Sequence, residues 1–140
     1  MISVSRAFHE VDERRGLVLG ILPGAVTKKG YHAPDGYPNP YIDLSIRTHL
    51  PLSGTRGSEP MSRNHINVLT PKLIVALPGG AGTASEVRLA RSCRKPVIAY
   101  LGTSGSIAGL DLSDIPVARE LEEVKTFVRS RAFGSDDTSQ

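Results

Sequence analysis

The chain of 140 residues has a formal net charge of +3 at pH 7, with 39% hydrophobic and 22% charged residues. These values are typical of one soluble globular domain that can bury a core, and the charge is too small to indicate a nucleic-acid-binding surface. No apolar run approaches the roughly 20 residues that span a membrane, and the chain opens without the apolar stretch of a signal peptide. A single cysteine, Cys93, excludes an internal disulfide. We therefore expect a cytoplasmic protein that binds neither nucleic acid nor a membrane.

The first half of the chain gives its structural predictions through hydrophobic periodicity. A loose apolar stripe predicts a helix over residues 2–15, and an unbroken apolar run predicts a strand over residues 17–22 that is buried on both faces. Residues 28–40 are rich in glycine and proline, so we expect irregular structure there. Residues 41–48 alternate between apolar and polar side chains, which predicts a strand with one wet or ligand-facing side.

The second half of the chain alternates strands with helices. In chain order we predict a helix at 62–69 with Ser62 as its N-cap, a strand at 72–77, a helix at 83–94, a strand at 96–101 and a helix at 119–131. This alternation indicates an α/β fold in which a parallel sheet carries helices on both faces. We expect one domain over residues 1–131 and a disordered tail over residues 132–140.

A glycine-rich turn joins the strand at 72–77 to the helix at 83–94. It consists of Pro78, Gly79, Gly80, Ala81 and Gly82. In parallel α/β sheets such a turn lies at the carboxyl end of a strand, where close backbone amides and the helix dipole favour a phosphate. The turn lacks the Gly-Lys-Ser/Thr of a Walker A loop and the third glycine of the dinucleotide fingerprint. Phosphate binding and a purely structural turn are equally open on these grounds.

Glu86 also has two interpretations. With Thr83 as N-cap it completes a capping box, in which the threonine hydroxyl accepts from the Glu86 amide and the carboxylate accepts from the Thr83 amide. A bound phosphate would compete with this carboxylate for the same amides. A phosphate-binding turn would therefore leave Glu86 to face ribose hydroxyls or a developing cation. The spacing alone does not choose between these roles.

Arg63 is a second candidate for the site. It starts the helix that precedes the glycine-turn strand, and a guanidinium at that edge of the sheet can bind phosphate or carboxylate in bidentate fashion. An exposed arginine on a first helical turn is the ordinary alternative. Asn64 and His65 leave the same choice open. Because the four histidines show no metal-ligand spacing, we expect no metal held by protein ligands.

These residues resemble a known family. Arg63-Asn64, a short helix, an apolar strand and PGGAGTASE at residues 78–86 resemble the PGGxGTxxE signature of the LONELY GUY and lysine-decarboxylase-like superfamily of Rossmann-type proteins. The RNH helix start, Asn39-Pro40-Tyr41 and GLVLGILPG more closely resemble its molybdenum-cofactor carrier-like branch, over residues 1 to 127. The resemblance implies a Rossmann-like sheet, a homodimer and a phosphorylated ligand. It implies that this ligand is bound by Arg63, Asn64, Gly79, Gly80, Ala81, Gly82, Thr83 and Glu86.

Two functions follow from the resemblance. The carrier-like branch holds the molybdenum cofactor, a phosphorylated molybdopterin, whereas the phosphoribohydrolase branch cleaves nucleoside 5′-monophosphates, notably cytokinin ribotides, into base and ribose 5-phosphate. In the enzymes, Arg63 and Glu86 would be catalytic, since a carboxylate near the ribose stabilises oxocarbenium character. The enzymes usually carry lysine where this chain has Asn64. We therefore expect a protein that binds a phosphorylated pterin or nucleotide, with phosphoribohydrolase activity as the alternative.

The resemblance also predicts an absence. Family members usually begin with a strand, a helix and a second strand, whose glycine turn enters a helix through methionine, and Met1 corresponds to that methionine. We therefore expect the family's first two strands to be absent. Three explanations are open: a start further upstream, direct pairing of the strands at 17–22 and 41–48, or a second chain in the gap. We favour an upstream start.

Overall fold

The computed structural model describes residues 2–133. The chain divides into two compact units, Met1–Leu52 and Ser53–Gln140, and one domain over residues 1–131 stays a prediction. Of the tail predicted at residues 132–140, Ala132 ends the last helix, Phe133 follows it, and the rest lies outside the described residues. Between residues 2 and 133, no helix is both long and apolar enough to cross a lipid bilayer.

The first unit opens with helix α1, Ile2–His9. The predicted helix over residues 2–15 is therefore too long. The chain leaves the helix through a turn in which Glu13 has φ of 52°, a left-handed conformation that a right-handed helix cannot continue. The strands of this unit are β1 (Leu19–Leu22), β2 (Ala25–Thr27), β3 (Gly30–His32) and β4 (Leu44–Arg47).

Strands β1 and β4 pair in parallel, with Leu19 opposite Leu44 and Leu22 opposite Arg47. Direct pairing, one of the three explanations considered from the sequence, is thus observed. The prediction that β1 is buried on both faces is wrong, because Leu22 is buried but Leu19 is 44% exposed. A sheet of two strands in a unit of this size has too few neighbouring elements to enclose both of its faces.

The prediction of irregular structure from residue 28 onward is wrong at its start. Strands β2 and β3 form an antiparallel hairpin in which Thr27 is opposite Gly30. Gly30 has φ of 102°, which glycine adopts without steric cost, and the Thr27 hydroxyl accepts from the Lys29 amide at 3.2 Å. A two-residue loop of this kind is short enough to be hidden among the glycines and prolines that follow it.

An ion pair holds the starts of β1 and β4 together. Arg14 donates two hydrogen bonds to the Asp43 carboxylate, at 2.7 and 2.8 Å, and the Val18 amide donates a third at 2.7 Å. The Arg14 bonds, and then the Val18 bond, lower the pKa of Asp43 to about 2. The carboxylate therefore fixes the residues just before both strands.

Between Ser53 and residue 133, the described part of the second unit contains a 3-10 turn and three helices around a parallel sheet. Its elements are the turn Gly54–Arg56, α2 (Asn64–Leu69), β5 (Ile74–Ala76), α3 (Ala81–Ser92), β6 (Val97–Tyr100), β7 (Val117–Ala118) and α4 (Leu121–Ala132). The sheet order is β5-β6-β7, and both pairings are parallel. The sequence did not predict β7, because two residues are too few to show an alternating pattern.

Alternate residues of β6 face opposite layers of this unit. Val97 and Ala99 pack in a core that contains Val87 of α3, whereas Ile98 packs with Val124 of α4. Because successive side chains of a strand point to opposite faces, α3 and α4 cover opposite faces of the sheet. The predicted Rossmann-like α/β fold, a parallel sheet with helices on both faces, is confirmed.

Candidate functional site

Helix α3 begins two residues earlier than predicted. Its N-cap is Gly80 and its first residue is Ala81, so Thr83 is the third residue of the helix and not its N-cap. The capping box of Thr83 and Glu86 is therefore wrong. A glycine N-cap has no side chain to accept from the helix amides, and within the described chain the first turn of α3 contains no acidic residue.

A capping box is found instead at α4. The carboxylate of Glu123 accepts from the amides of Glu120 and Arg119 at 2.8 and 2.7 Å, while the Glu120 side chain accepts from the backbone at the third helical position. The bonds from Glu120 and then Arg119 lower the pKa of Glu123. With glutamate as N-cap, this box lacks the Ser or Thr by which the motif is usually recognised.

Gly79 is engaged by a neighbouring segment. Its amide donates to the Ser106 carbonyl at 3.1 Å, and its carbonyl accepts from the Ala108 amide at 2.9 Å, which forms a parallel bridge to Ile107. The Gly79 amide is therefore not available to an anion. A Cβ at this position would collide with the Thr83 hydroxyl, so the absence of a side chain is a packing requirement.

The next residues of the turn face open space. Gly80 and Ala81 are exposed, Gly82 and Thr83 are half-buried, and a Cβ on Gly80 would meet no atom within 4 Å. The first intrahelical bond runs from the Ala84 amide to the Gly80 carbonyl, at 3.0 Å. Amides before that bond have no intrahelical acceptor, and they carry the positive end of the helix dipole. The amides that the structure leaves available for the predicted phosphate cradle are therefore those that follow Gly79.

Glu86 is held by helix α2. The Asn67 side-chain amide donates to Glu86 Oε1 at 3.3 Å, and both residues are half-buried. Because Glu86 is the sixth residue of α3, its Cα lies more than one turn beyond the first helical residue. Asn67 was not among the residues predicted for the site, although its spacing of four from Arg63 places both residues on one face of a helix.

Arg63 immediately precedes α2. It is the N-cap of Asn64–Leu69, so the predicted N-cap at Ser62 is wrong by one residue. Arg63 has helical backbone angles, and its carbonyl accepts from the backbone amide of Asn67 at 3.2 Å, which makes Arg63 part of the same helical turn. The residue is half-buried. Since Asn67 contacts Glu86, Arg63 lies on the face of α2 that is turned towards α3.

Asn64 and His65 take part in packing around the start of α2. Asn64 is only 3% exposed, and its backbone amide donates to the Ser62 hydroxyl at 3.2 Å. The side chain of Asn64 would collide with any Cβ on Gly57. His65 Nε2 lies 3.1 Å from the Glu59 carbonyl, which fits a donating ring N–H. The structural interpretation of His65 fits this contact, and a binding role for Asn64 stays a prediction.

The 3-10 turn packs beside the start of α3. The Ser85 hydroxyl donates to the Gly54 carbonyl at 2.8 Å. Arg56 donates two hydrogen bonds to the Glu59 carboxylate, at 2.7 and 2.8 Å, and these bonds are the main reason that the pKa of Glu59 is lowered. The turn therefore brings a matched ion pair, and not a net charge, to this part of the surface.

The arrangement offers a ligand two chemically different ends. The exposed start of α3 presents amides that have no intrahelical acceptor, which suit an anion, whereas the carboxylate of Glu86 suits hydroxyl donors or a developing positive charge. Arg63 lies one helical turn before Asn67, the residue of α2 that contacts Glu86. Among residues 2–133, no three His, Cys, Asp or Glu side chains are grouped as a metal site would require.

The comparisons with known proteins bear on the whole of this architecture. A model of the SLOG cluster4 family matches residues 1–127, which include both strands of the β1–β4 pair and every candidate site residue. No curated protein and no solved structure matches the chain. A family match over this much of the sequence is decisive, and the chain belongs to the SLOG cluster4 family.

Proposed function

We propose that this protein binds a phosphorylated small molecule, either a nucleotide or a phosphorylated pterin such as the molybdenum cofactor. The phosphate would be bound by the first amides of α3, with Arg63 beside it. The observation that carries the proposal is that Glu86 is held by Asn67, so that no carboxylate of this site caps those amides. Membership of the SLOG cluster4 family supports a nucleotide- or phosphoribosyl-related binding role.

The donor set fits the phosphate of both ligand classes. A nucleoside 5′-monophosphate and molybdopterin each end in a phosphate monoester, which backbone amides and a guanidinium bind well. The cofactor version draws its support from the RNH start of α2 and from Asn64, which stands where the phosphoribohydrolases usually have lysine. When bound, the molybdopterin would supply its own dithiolene sulfurs to the metal.

A second function, nucleoside 5′-monophosphate phosphoribohydrolase, is favoured by one observation. Glu86 is a half-buried carboxylate whose hydrogen-bond donor, Asn67, is neutral, so its negative charge is not cancelled by that partner. In the reaction, the bond between the base and C1′ of the ribose breaks and its electron pair leaves with the base. Water adds to C1′ and loses a proton, and the departing base gains one. The carboxylate would stabilise the positive charge that develops on the ribose.

The binding proposal is tested by the small molecule that copurifies with the full chain. Acid release and oxidation should give a fluorescent pterin from the wild type and much less from Arg63→Ala, while Arg129→Ala, on exposed α4 surface, should resemble the wild type. A phosphorylated nucleotide in place of the pterin would decide for the nucleotide version. Absence of any phosphorylated molecule, together with no binding of added AMP, would contradict the proposal.

Incubation with AMP separates binding from hydrolysis. The enzyme alternative predicts release of free adenine by the wild type and by Glu122→Gln, an exposed control on α4, but not by Glu86→Gln. Tight binding of AMP by the wild type without adenine above background would eliminate this alternative.

A further inference from the structure

We propose that Asn67 is a positioning residue, which holds the Glu86 carboxylate away from the amides of α3 and so selects phosphorylated ligands that carry further hydrogen-bond donors, such as ribose hydroxyls or pterin N–H groups. The inference rests on the proposed function. The contact behind it joins two helices: the side-chain amide of Asn67 donates to Glu86 Oε1 at 3.3 Å, and the two residues are 19 positions apart in the sequence. Both residues are half-buried, so this contact lies at the helix–helix junction and not on open surface.

Helix geometry explains why Glu86 needs a partner. Side chains of a helix lean towards its N-terminus, so a Glu86 side chain released by Asn67 would extend towards the turn that contains Gly82 and Thr83. That end of α3 is the positive end of the dipole and lacks a cap from its own first turn. A released carboxylate would be attracted to the same amides that the phosphate needs. Asn67 counters this by binding the carboxylate from α2.

The chemistry of Asn67 also matters. A lysine or arginine at this position would pair with Glu86 and cancel its charge, whereas a neutral amide orients the carboxylate and leaves it a strong hydrogen-bond acceptor. Such an acceptor beside a phosphate site recognises hydrogen-bond donors of the ligand, such as the hydroxyls of a sugar or the N–H groups of a pterin. A ligand that is phosphate alone gains nothing from it. The expected signature of Asn67 is therefore a preference between ligands, and not affinity in general.

The test compares AMP with inorganic phosphate by calorimetric titration of the full chain. Asn67→Leu should weaken AMP binding by about tenfold, as for the loss of a hydrogen bond to a charged group, and should weaken phosphate binding less. Asn67→Gln, which keeps an amide donor, should retain most of the preference for AMP. Thr70→Val, at an exposed position after α2, is the matched control.

A double-mutant cycle shows whether Asn67 acts through Glu86. In the Glu86→Gln background, Asn67→Leu should change the Kd for AMP by less than about twofold, because the group that it positions has been replaced. The inference would be overturned if Asn67→Leu changed the Kd for AMP and the Kd for phosphate equally. It would also be overturned if Asn67→Leu weakened AMP binding as much in the Glu86→Gln background as in the wild type.

The contact itself can be tested without a ligand. Urea unfolding of Asn67→Leu, Glu86→Gln and the double variant measures whether the two side chains interact. The change in the unfolding equilibrium constant of the double variant should differ by at least about threefold from the product of the two single-variant changes, as expected of residues in contact. Additive changes would overturn the inference. If the unfolding cycle shows coupling but the wild type binds neither AMP nor phosphate, the proposed function is refuted, and with it the selective role of Asn67.

Discussion

Gly79→Ala should destabilise the protein far more than Gly80→Ala. A Cβ on Gly79 would lie 3.0 Å from Thr83 Cβ and closer still to the Thr83 hydroxyl. The backbone cannot easily retreat, because it is hydrogen-bonded on both sides to Ser106 and Ala108. By contrast, a Cβ on Gly80 would meet no atom within 4 Å, and its φ of −101° suits alanine.

The magnitude follows from the side chain that must yield. Threonine is branched at Cβ and has few rotamers in a helix, so Thr83 can relieve the collision only in part. Overpacking of this kind costs about 1–3 kcal/mol. For a chain of this length, about 2 kcal/mol corresponds to a fall of about 6 °C in Tm. At Gly80 only the N-cap preference is lost, which costs about 1 kcal/mol or less.

Urea unfolding of the two variants beside the wild type measures the difference. The denaturant slope should stay constant, so that the midpoints report stability directly. Thr83→Ala in the Gly79→Ala background should recover part of the loss, because it removes the hydroxyl from the collision. A Gly79→Ala variant with the wild-type midpoint, or equal shifts for Gly79→Ala and Gly80→Ala, would refute the packing role of Gly79.

Three further predictions concern stability. Because the pKa of Asp43 is lowered to about 2, its ion pair stabilises the fold above the ordinary carboxyl pKa and loses that contribution as the pH falls. The Tm difference between wild type and Asp43→Asn should therefore shrink from about pH 4 towards pH 2, and a constant difference would contradict this. Ser85→Ala, which removes the bond to Gly54, should cost about 1–2 kcal/mol in urea unfolding, whereas exposed Ser104→Ala should be neutral. Glu123→Gln should lower Tm at neutral pH, because an amide accepts more weakly from the backbone at the start of α4, and the loss should vanish once the wild-type carboxyl is protonated in acid.

Much of the second unit could be predicted from the sequence, because its apolar patterns are strong. Strands β5 and β6 lie inside the predicted ranges. The start of α3 was misplaced because Thr83 and Glu86 match a capping box, while a glycine N-cap gives a weaker signal. The local motif therefore indicated a helix start at Thr83, three residues after the glycine that is the observed N-cap.

The first unit shows where a hydrophobic run misleads. An unbroken apolar strand indicates burial on both faces only where other elements exist to cover them. Among the described residues β1 has β4 as its partner in a sheet of two strands, and Leu19 and Leu44 stay about half exposed, at 44% and 51%. The sequence of one strand cannot reveal the number of its neighbours.

The residues of the candidate site could be named from the sequence, but the side-chain contacts between them could not. Arg63, Glu86 and the glycine turn were chosen from spacing and resemblance, and the structure brings the helices that carry them together. Asn67, which explains the position of Glu86, was missed because periodicity assigns a face to each helix but does not tell which side chains meet across two helices.

The proposed function requires that a phosphate binds the first amides of α3. The most direct measurement is an NMR titration of the amide-labelled full chain with AMP and with inorganic phosphate. The amide resonances of Ala81, Gly82 and Thr83 should move with both ligands, whereas that of Gly79, which donates to the Ser106 carbonyl, should move much less. Saturable changes elsewhere in the spectrum, with these three amides unmoved, would contradict the claim.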